Sequence, residues 1–285
     1  MDPLRHVKPA VRAISAYTLA GREALVKIDQ NENPRDLPEA LKRRVLERAL
    51  ARSWSRYPAF DPKELLEALA RVSGWRADGI LAGNGSNEMI AALLVVTVGS
   101  GTKVVIPEPT FTLYALLTTV LGGEPIRVPL SREADGRFVY DAERLRDARR
   151  QAEAPLTIVC SPNNPTGTTL PSAEIERLCR QADGLVVIDE AYHEFAGRSV
   201  VPLLEQHPNL VVLRTFSKAM ALAGLRVGYL LASPELVREV NKARLPYNVN
   251  VLSQMAALAA LEEPKLLVED IQAFFRPLRF GAAND

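Results

Sequence analysis

Short apolar runs rich in β-branched residues alternate along the chain with longer amphipathic stretches. Runs of this length, bounded by turn residues, are typical of strands that are buried on both faces of a sheet. They occupy residues 103–106, 125–128, 157–160, 185–188, 210–213 and 227–231. The stretches between them predict helices over residues 62–72, 88–98, 111–121 and 172–181, the last with Ser172 as its N-cap. The pattern therefore predicts an α/β fold of three layers, α/β/α, with a mostly parallel sheet in the middle.

The middle of the chain contains no internal repeat, low-complexity tract or Gly/Ser linker. We therefore predict one large domain over residues 30–262, with residues 1–29 as an N-terminal arm. After Pro264, apolar residues recur near the helical period and predict one further helix within residues 263–285.

Composition excludes several classes of protein. The 35 Lys and Arg residues against 34 Asp and Glu give a net charge of +1, which lacks the basic excess of nucleic-acid-binding proteins. Two cysteines and three histidines show no ligand spacing, so we expect no metal site. The N-terminus has no apolar signal segment and no stretch is long enough to span a membrane, so we predict a cytoplasmic protein.

The first candidate for chemistry is Lys218, in the segment Thr215-Phe-Ser-Lys218 that directly follows a predicted buried strand. Ligands of α/β proteins bind at the carboxyl ends of strands, where a desolvated lysine can form a Schiff base with a carbonyl group. Taken alone, a solvated lysine in a surface turn is the simpler interpretation.

Asp189 ends another predicted strand, and Tyr192 follows three residues later. A carboxylate in this place can keep a pyridinium nitrogen protonated, as in enzymes that use pyridoxal 5'-phosphate (PLP). It can equally cap the following turn or bind Mg²⁺ as in a nucleotide hydrolase, so the motif alone is ambiguous.

Two loops add polar groups after predicted strands. Residues 161–167 (Ser-Pro-Asn-Asn-Pro-Thr-Gly) are restricted by two prolines and present Asn164 as a possible donor, although an ordinary turn obeys the same rules. Residues 83–88 (Gly-Asn-Gly-Ser-Asn-Glu) precede a helix and can bind a phosphate at its N-terminus, or simply form a glycine turn with a cap. Arg226, eight residues after Lys218, is a candidate second phosphate ligand or a solvated arginine.

The order of these motifs resembles the fold-type I PLP aminotransferases, and within them the histidinol-phosphate aminotransferase branch. The resemblance covers about residues 17–261. It is carried by Asn31-Glu-Asn-Pro34, Arg56-Tyr-Pro58, Gly83-Asn-Gly-Ser-Asn-Glu88, Pro109-Thr-Phe111, Ser161-Pro-Asn-Asn-Pro-Thr-Gly167, Asp189-Glu-Ala-Tyr192, Thr215-Phe-Ser-Lys218 and Leu222-Ala-Gly-Leu-Arg226. Eight matches in the same order are far more specific than any one of them.

The resemblance implies PLP as cofactor and a role for each matching residue. Lys218 is the expected Schiff-base lysine and general base, and Asp189 the expected partner of the pyridinium nitrogen. Asn164 and Tyr192 are expected to contact the phenolic oxygen of the cofactor. Phe111 is expected to stack on the pyridine ring. The expected ligands of the cofactor phosphate are Gly85, Ser86, Asn87, Ser217 and Arg226.

The resemblance also implies partners. Tyr57 is expected to reach the cofactor phosphate of the neighbouring subunit, which implies a homodimer. Tyr17 and Asn33 are expected to close over the small-molecule substrates. The implied reaction transfers the amino group of histidinol phosphate to 2-oxoglutarate in histidine biosynthesis. Two alternatives remain open: another PLP enzyme, such as an aromatic aminotransferase or a phosphothreonine decarboxylase, or a cofactor-binding remnant with little activity.

The chain departs from the family pattern at its C-terminal end. Family members continue into a small domain that supplies a carboxylate-binding arginine, and no segment here matches that arginine. The last residues, 274–285, also differ from the charged helix expected there, as in a truncated or frame-shifted gene. We therefore expect residues 263–285 to be a remnant of the small domain, and we expect PLP binding with poor transamination.

Overall fold

A computed structural model describes residues 2–16, 18 and 27–263 of the chain. The predicted substrate residue Tyr17 and the predicted helix after Pro264 lie outside these residues. Within them, no helix is long and apolar enough to cross a membrane. The same residues contain no cluster of three or more His, Cys, Asp or Glu side chains that could hold a metal ion.

The described residues form helices and strands in nearly regular alternation. The helices are α1 (Pro9–Arg12), α2 (Glu39–Leu50), α3 (Lys63–Ser73), α4 (Ser86–Thr97), α5 (Leu113–Leu121), α6 (Ala142–Ala152), α7 (Ser172–Gln181), α8 (His193–Ala196), α9 (Pro234–Asn241) and α10 (Val251–Leu261). The strands are β1 (Ile80–Gly83), β2 (Lys103–Glu108), β3 (Glu124–Pro129), β4 (Ser131–Arg132), β5 (Phe138–Val139), β6 (Leu156–Cys160), β7 (Leu185–Asp189), β8 (Leu210–Thr215) and β9 (Gly228–Leu231).

Seven strands form one sheet in the order β1-β9-β8-β7-β6-β2-β3, and β4 and β5 form a separate two-stranded sheet. Strands β8, β7, β6, β2 and β3 pair in parallel, whereas β9 is antiparallel to both of its neighbours, β8 and β1. The prediction of a mostly parallel sheet in an α/β fold is therefore confirmed.

Two large apolar clusters sandwich this sheet. On one face, β7 contributes Val186 and Ile188 to a cluster with helices α2, α3, α7 and α10. On the other face, Val187 joins helices α4, α5 and α9. Because successive side chains of a strand point to opposite faces, a central strand in such a sandwich must be apolar throughout. This explains why the strands appear in the sequence as unbroken apolar runs and confirms the three-layer prediction.

The structure corrects several details of the sequence interpretation. Ser172 is not an N-cap: Pro171 occupies that position, and Ser172 is the first helical residue. Helix α4 begins at Ser86, two residues earlier than predicted, and α5 begins at Leu113, so that Phe111 lies in the preceding loop. Strand β1 was not predicted, because its four residues, which include an alanine and a glycine, carry little strand signal.

The topology brings the predicted motifs together. Strands β1, β2, β6, β7 and β8 all point the same way, so their carboxyl ends lie at one edge of the sheet. The antiparallel strand β9 begins at this edge, next to Arg226. Every motif that follows a strand therefore faces the same region, as expected for the ligand site of an open α/β sheet.

Candidate active site

Asp189 is the last residue of β7 and is almost fully buried. Its Oδ1 atom accepts the backbone N–H of Ala191 at 3.0 Å, and its Oδ2 atom accepts the hydroxyl of Tyr114 at 2.6 Å. Burial raises the pKa of Asp189 to about 6, because the ionised form loses its hydration, while these two hydrogen bonds lower it. The two donors thus stabilise the ionised carboxylate against the effect of burial, and its oxygens retain lone pairs for a further donor.

The neighbouring carboxylate, Glu190, is neutralised by a buried arginine. Arg214 of β8 contacts Glu190 Oε2 at 3.0 Å, and the hydroxyl of Ser199 donates to the same carboxylate at 2.8 Å. Glu190 Oε1 accepts the N–H of Val200 at 2.6 Å. An unpaired charge at Glu190 would raise the pKa of Asp189 further, so this pairing helps to keep Asp189 ionised.

Lys218 lies just beyond the end of β8 and is half-buried. Its ammonium donates to the backbone carbonyl of Gln30 at 2.8 Å. Burial lowers the pKa of Lys218, Glu32 opposes this, and the positive charge of Arg226 lowers it further. A lowered pKa increases the fraction of neutral amine at a given pH, which is the nucleophilic form.

An amide and a phenol face the same space as Lys218. The Lys218 ammonium lies 5.9 Å from the centre of the Tyr192 ring. Asn31 donates to the Tyr192 hydroxyl at 3.1 Å and lies 3.4 Å from Asn164 Oδ1. The structure thus brings Lys218, Asn164 and Tyr192 together, and it adds Asn31, to which the sequence analysis gave no role.

The loop that carries Asn164 is fixed by its neighbour. Asn163 is buried, accepts the hydroxyl of Thr110 at 2.6 Å and donates to the carbonyl of Pro109 at 2.9 Å. It also donates to Thr166 at 2.8 Å. Asn163 therefore holds this loop against the segment that carries Phe111, while Asn164 faces the open site.

The two segments predicted to bind a phosphate, residues 83–88 and the segment of Arg226, contact each other closely, as three short distances show. Gly85 has φ of 79° and precedes the first turn of α4, and a Cβ atom there would lie 2.4 Å from Arg226 Nη2. A Cβ atom on Gly228 would lie 2.1 Å from the backbone nitrogen of Ser86. Arg226 also donates to the Ser217 hydroxyl at 3.0 Å. A helix N-terminus, a hydroxyl and a guanidinium thus lie close together, a combination of groups that can bind an anion.

A polar network behind this loop fixes its position. The Glu88 carboxylate accepts the backbone N–H of Asn84 and the amide of Asn248, the latter at 2.9 Å. The Asn248 side-chain oxygen in turn accepts a hydrogen bond from the Arg244 guanidinium at 2.9 Å. Arg244 also forms an ion pair with Asp61 at 3.1 Å. The phosphate motif is therefore held from outside the site by side chains that the sequence analysis did not identify.

A cavity of about 850 Å³ opens next to Lys218. Lys218, Asn164 and Tyr192 line it, together with Asn33. Asn33 donates to the carbonyl of Ala219 at 3.3 Å, which places it next to Lys218. The volume is that of a typical small-molecule site.

The remaining predicted residues lie at the margins. Phe111 packs edge-on against Tyr114, with ring centres 5.5 Å apart. Asn87 is exposed in the first turn of α4. Tyr57 is 80% exposed and stacks on Tyr247 at 4.4 Å, so its side chain faces outward from this subunit.

The fold and this site together define an α/β enzyme. At one edge of its sheet lie a partly desolvated lysine, a buried carboxylate and the donor groups around Gly85 and Arg226. The family model described as "Aminotransferase class I and II" matches residues 23–276. The chain therefore belongs to the class I and II aminotransferase family.

Curated relatives are similar over nearly the whole chain. Histidinol-phosphate aminotransferase of Chlorobium phaeovibrioides is 36% identical over 272 residues, which cover 95% of this chain and 74% of the relative. The Desulfitobacterium hafniense (strain Y51) enzyme of the same name is 41% identical over 264 residues, covering 92% and 73%. The chain thus spans about three quarters of the length of these relatives.

Solved structures give the same result. Histidinol-phosphate aminotransferase from Sinorhizobium meliloti, in complex with pyridoxal-5'-phosphate, has a TM-score of 0.82 at 27% identity, covering 94% of this chain and 74% of that one. A double mutant of Thermus thermophilus aspartate aminotransferase has a TM-score of 0.73 at 26% identity, covering 85% and 66%. The shared fold therefore extends to family members with different named substrates.

The close approach at Gly228 predicts the effect of a single methyl group. Gly228→Ala should force the backbone of Ser86 away and weaken PLP binding by about ten- to hundredfold, the value of one charge-assisted hydrogen bond. The dissociation constant measured by equilibrium titration tests this. Gly224→Ala is the matched control, because a Cβ atom there meets nothing within 4 Å. Equal affinities of the two variants would contradict this prediction.

Proposed function

We propose that the protein is a PLP-dependent aminotransferase that transfers the amino group of histidinol phosphate to 2-oxoglutarate. The observation that carries the chemistry is that Lys218, Asp189 and a group of donors converge at one edge of the sheet. These donors, the start of α4 after Gly85 together with Ser217 and Arg226, are called the cradle below. The proposed substrate follows the names of the curated relatives, which are 35–41% identical to this chain.

The chemistry of the site residues is compatible with the cofactor. The close approaches at Gly85 and Gly228 keep Arg226 next to the start of α4, and Asp189 keeps a lone pair for a ring N–H. When bound, PLP supplies an electron sink that stabilises negative charge on the substrate α-carbon. The cradle residues Gly85, Ser86, Asn87, Ser217 and Arg226 would hold the phosphate.

Lys218 would bind the cofactor covalently and then move the proton. Its lowered pKa provides neutral amine for attack on a carbonyl carbon. Once released by the incoming amino donor, the same amine can accept a proton from the substrate α-carbon and then donate it to a neighbouring atom. Its hydrogen bond to the Gln30 carbonyl shows that a polar group already stabilises it in this position.

The other polar residues would orient the ring. Asp189, ionised and immobilised by two donors, would keep the ring nitrogen protonated. Asn164 and Tyr192 would contact the phenolic oxygen, with Asn31 holding both. Phe111 would cover one face of the ring, where an aromatic side chain offers a flat apolar surface.

We also propose a homodimer. Tyr57 is 80% exposed and stacks on Tyr247, so its ring is held at the surface where a second subunit could contact it. It would reach the cofactor phosphate of the second subunit. Tyr17 and Asn33 would contact the substrate.

Covalent attachment can be located directly. Borohydride reduction of the PLP-saturated protein followed by peptide mapping should tag the peptide that contains Lys218. Lys218→Arg is the control and should remove the tag, because a guanidinium does not condense with the aldehyde. A tag on another lysine would overturn this assignment.

The role of Asp189 separates chemistry from binding. Asp189→Asn should slow the half-reaction with the amino donor by about a hundredfold or more, because a neutral amide cannot stabilise the ring proton. PLP occupancy should change much less, since the phosphate cradle is intact. Stopped-flow absorbance at matched occupancy gives the rate, and equal rates would mean that Asp189 only caps the turn after β7.

Substrate choice is tested by single-turnover reactions with a panel of amino donors. Histidinol phosphate should react at least about a hundredfold more efficiently than aspartate or phenylalanine, because the curated relatives that are 35–41% identical to this chain are named for that donor. Added 2-oxoglutarate should then restore the original spectrum. Preference for an aromatic donor, or release of carbon dioxide from phosphothreonine, would identify one of the alternative PLP enzymes instead.

A further inference from the structure

Tyr114 makes a contact with the proposed catalytic carboxylate that no motif indicates. It lies in the first turn of α5, its side chain is fully buried, and its hydroxyl donates to Asp189 Oδ2 at 2.6 Å. This bond joins helix α5, which packs on one face of the sheet, to β7, the central strand.

We propose that Tyr114 is a positioning residue for amino transfer, whose hydroxyl holds Asp189 ionised and aimed at the ring nitrogen of the cofactor. This inference rests on the proposed function, because it concerns the partner of that nitrogen. It goes beyond it by assigning the control of the carboxylate to a residue outside the matched motifs.

The first argument is the direction of the hydrogen bond. Burial raises the pKa of Tyr114 well above its ordinary value, so the phenol keeps its proton and acts as a donor. A donor to a carboxylate stabilises its ionised form, and this bond opposes the effect of burial on the pKa of Asp189. Charge-assisted hydrogen bonds of this kind are short, as observed here.

The second argument is geometry. The Ala191 N–H holds one carboxylate oxygen and the Tyr114 hydroxyl holds the other, so rotation of the Asp189 side chain would break both bonds. Phe111, the proposed ring-stacking residue, packs edge-on against Tyr114 at an interplanar angle of 87°. One short segment thus fixes both the ring face and the partner of the ring nitrogen.

The surrounding groups leave this role to Tyr114. The Cys160 thiol of β6 is buried, and its raised pKa keeps it neutral. Glu190 is paired with Arg214. The phenols of Tyr140 and Tyr192 also lie near, and burial raises the pKa of each. Tyr140 donates to the carbonyl of Cys160 and Tyr192 accepts from Asn31, whereas Tyr114 donates to the Asp189 carboxylate itself.

The expected sign follows from the competition for one proton. The proton stays on the ring nitrogen as long as Asp189 is the weaker base. Tyr114→Phe removes the donor, makes Asp189 more basic and moves the proton toward the carboxylate. The ratio of protonated ring nitrogen to protonated carboxylate should fall by about ten- to hundredfold, the value of a hydrogen bond to a charged group.

The test is the ¹⁵N resonance of ring-labelled PLP in the intact holoenzyme. The wild-type protein should show a pyridinium resonance at neutral pH, and Tyr114→Phe should shift it toward a neutral pyridine. Tyr140→Phe is the matched control, because it removes a phenol from the same neighbourhood without touching the Asp189 carboxylate. An unchanged resonance in Tyr114→Phe, or an equal shift in the control, would overturn the proposal.

A second variant keeps the test decisive if Tyr114→Phe loses the cofactor. Difluorotyrosine incorporated at position 114 retains the shape and is a stronger donor, so it should move the shared proton toward the ring nitrogen and shift the ¹⁵N resonance further toward the pyridinium value. An unchanged resonance in this variant would contradict the proposal. A wild-type resonance of a neutral pyridine would instead refute the proposed role of Asp189, so the two failures are distinguishable.

Discussion

The structure depends on a buried carboxylate at the end of its central strand. Asp189 ends β7, the fourth of seven strands, where burial disfavours its charge. An ionised group in this position requires donors and a neutralised surrounding, because its hydration is lost. Helix α5, the turn after β7 and the Arg214–Glu190 pair supply these conditions. Three separate parts of the chain must therefore be packed correctly before this single side chain can hold its charge.

The opposite side of the site is governed by steric exclusion. Gly85 and Gly228 lie where any side chain would collide with Arg226 or with the backbone of α4. Their absence of side chains lets Arg226 and β9 pack directly against the first residues of α4. The charged ends of the site are thus separate: the Asp189 carboxylate lies at the centre of the sheet, and Arg226 lies beside the ends of β1 and β9.

The pKa of Lys218 depends on its buried surroundings and on the charges near it. Burial and the nearby charge of Arg226 lower its pKa, while Glu32 partly restores it. The charge of Arg226, the proposed phosphate ligand, therefore adds to the effect of burial in favouring a neutral, nucleophilic amine.

The sequence by itself determined the fold class and most of the strands that precede the candidate site residues, because apolar runs mark doubly buried strands. The order of its motifs also pointed to Lys218, Asp189, Asn164 and Arg226, whose roles stay predictions. Only the tertiary structure decided which side chains complete the site. Tyr114 approaches Asp189 across 75 positions, and Asn31 approaches Tyr192 across 161. Neither contact leaves a local signal, since a buried tyrosine on a helix has the spacing of an ordinary core residue. The antiparallel course of β9 and the loss of the Ser172 cap are of the same kind, because strand direction and chain entry into a helix are set by packing against neighbours rather than by the residues concerned.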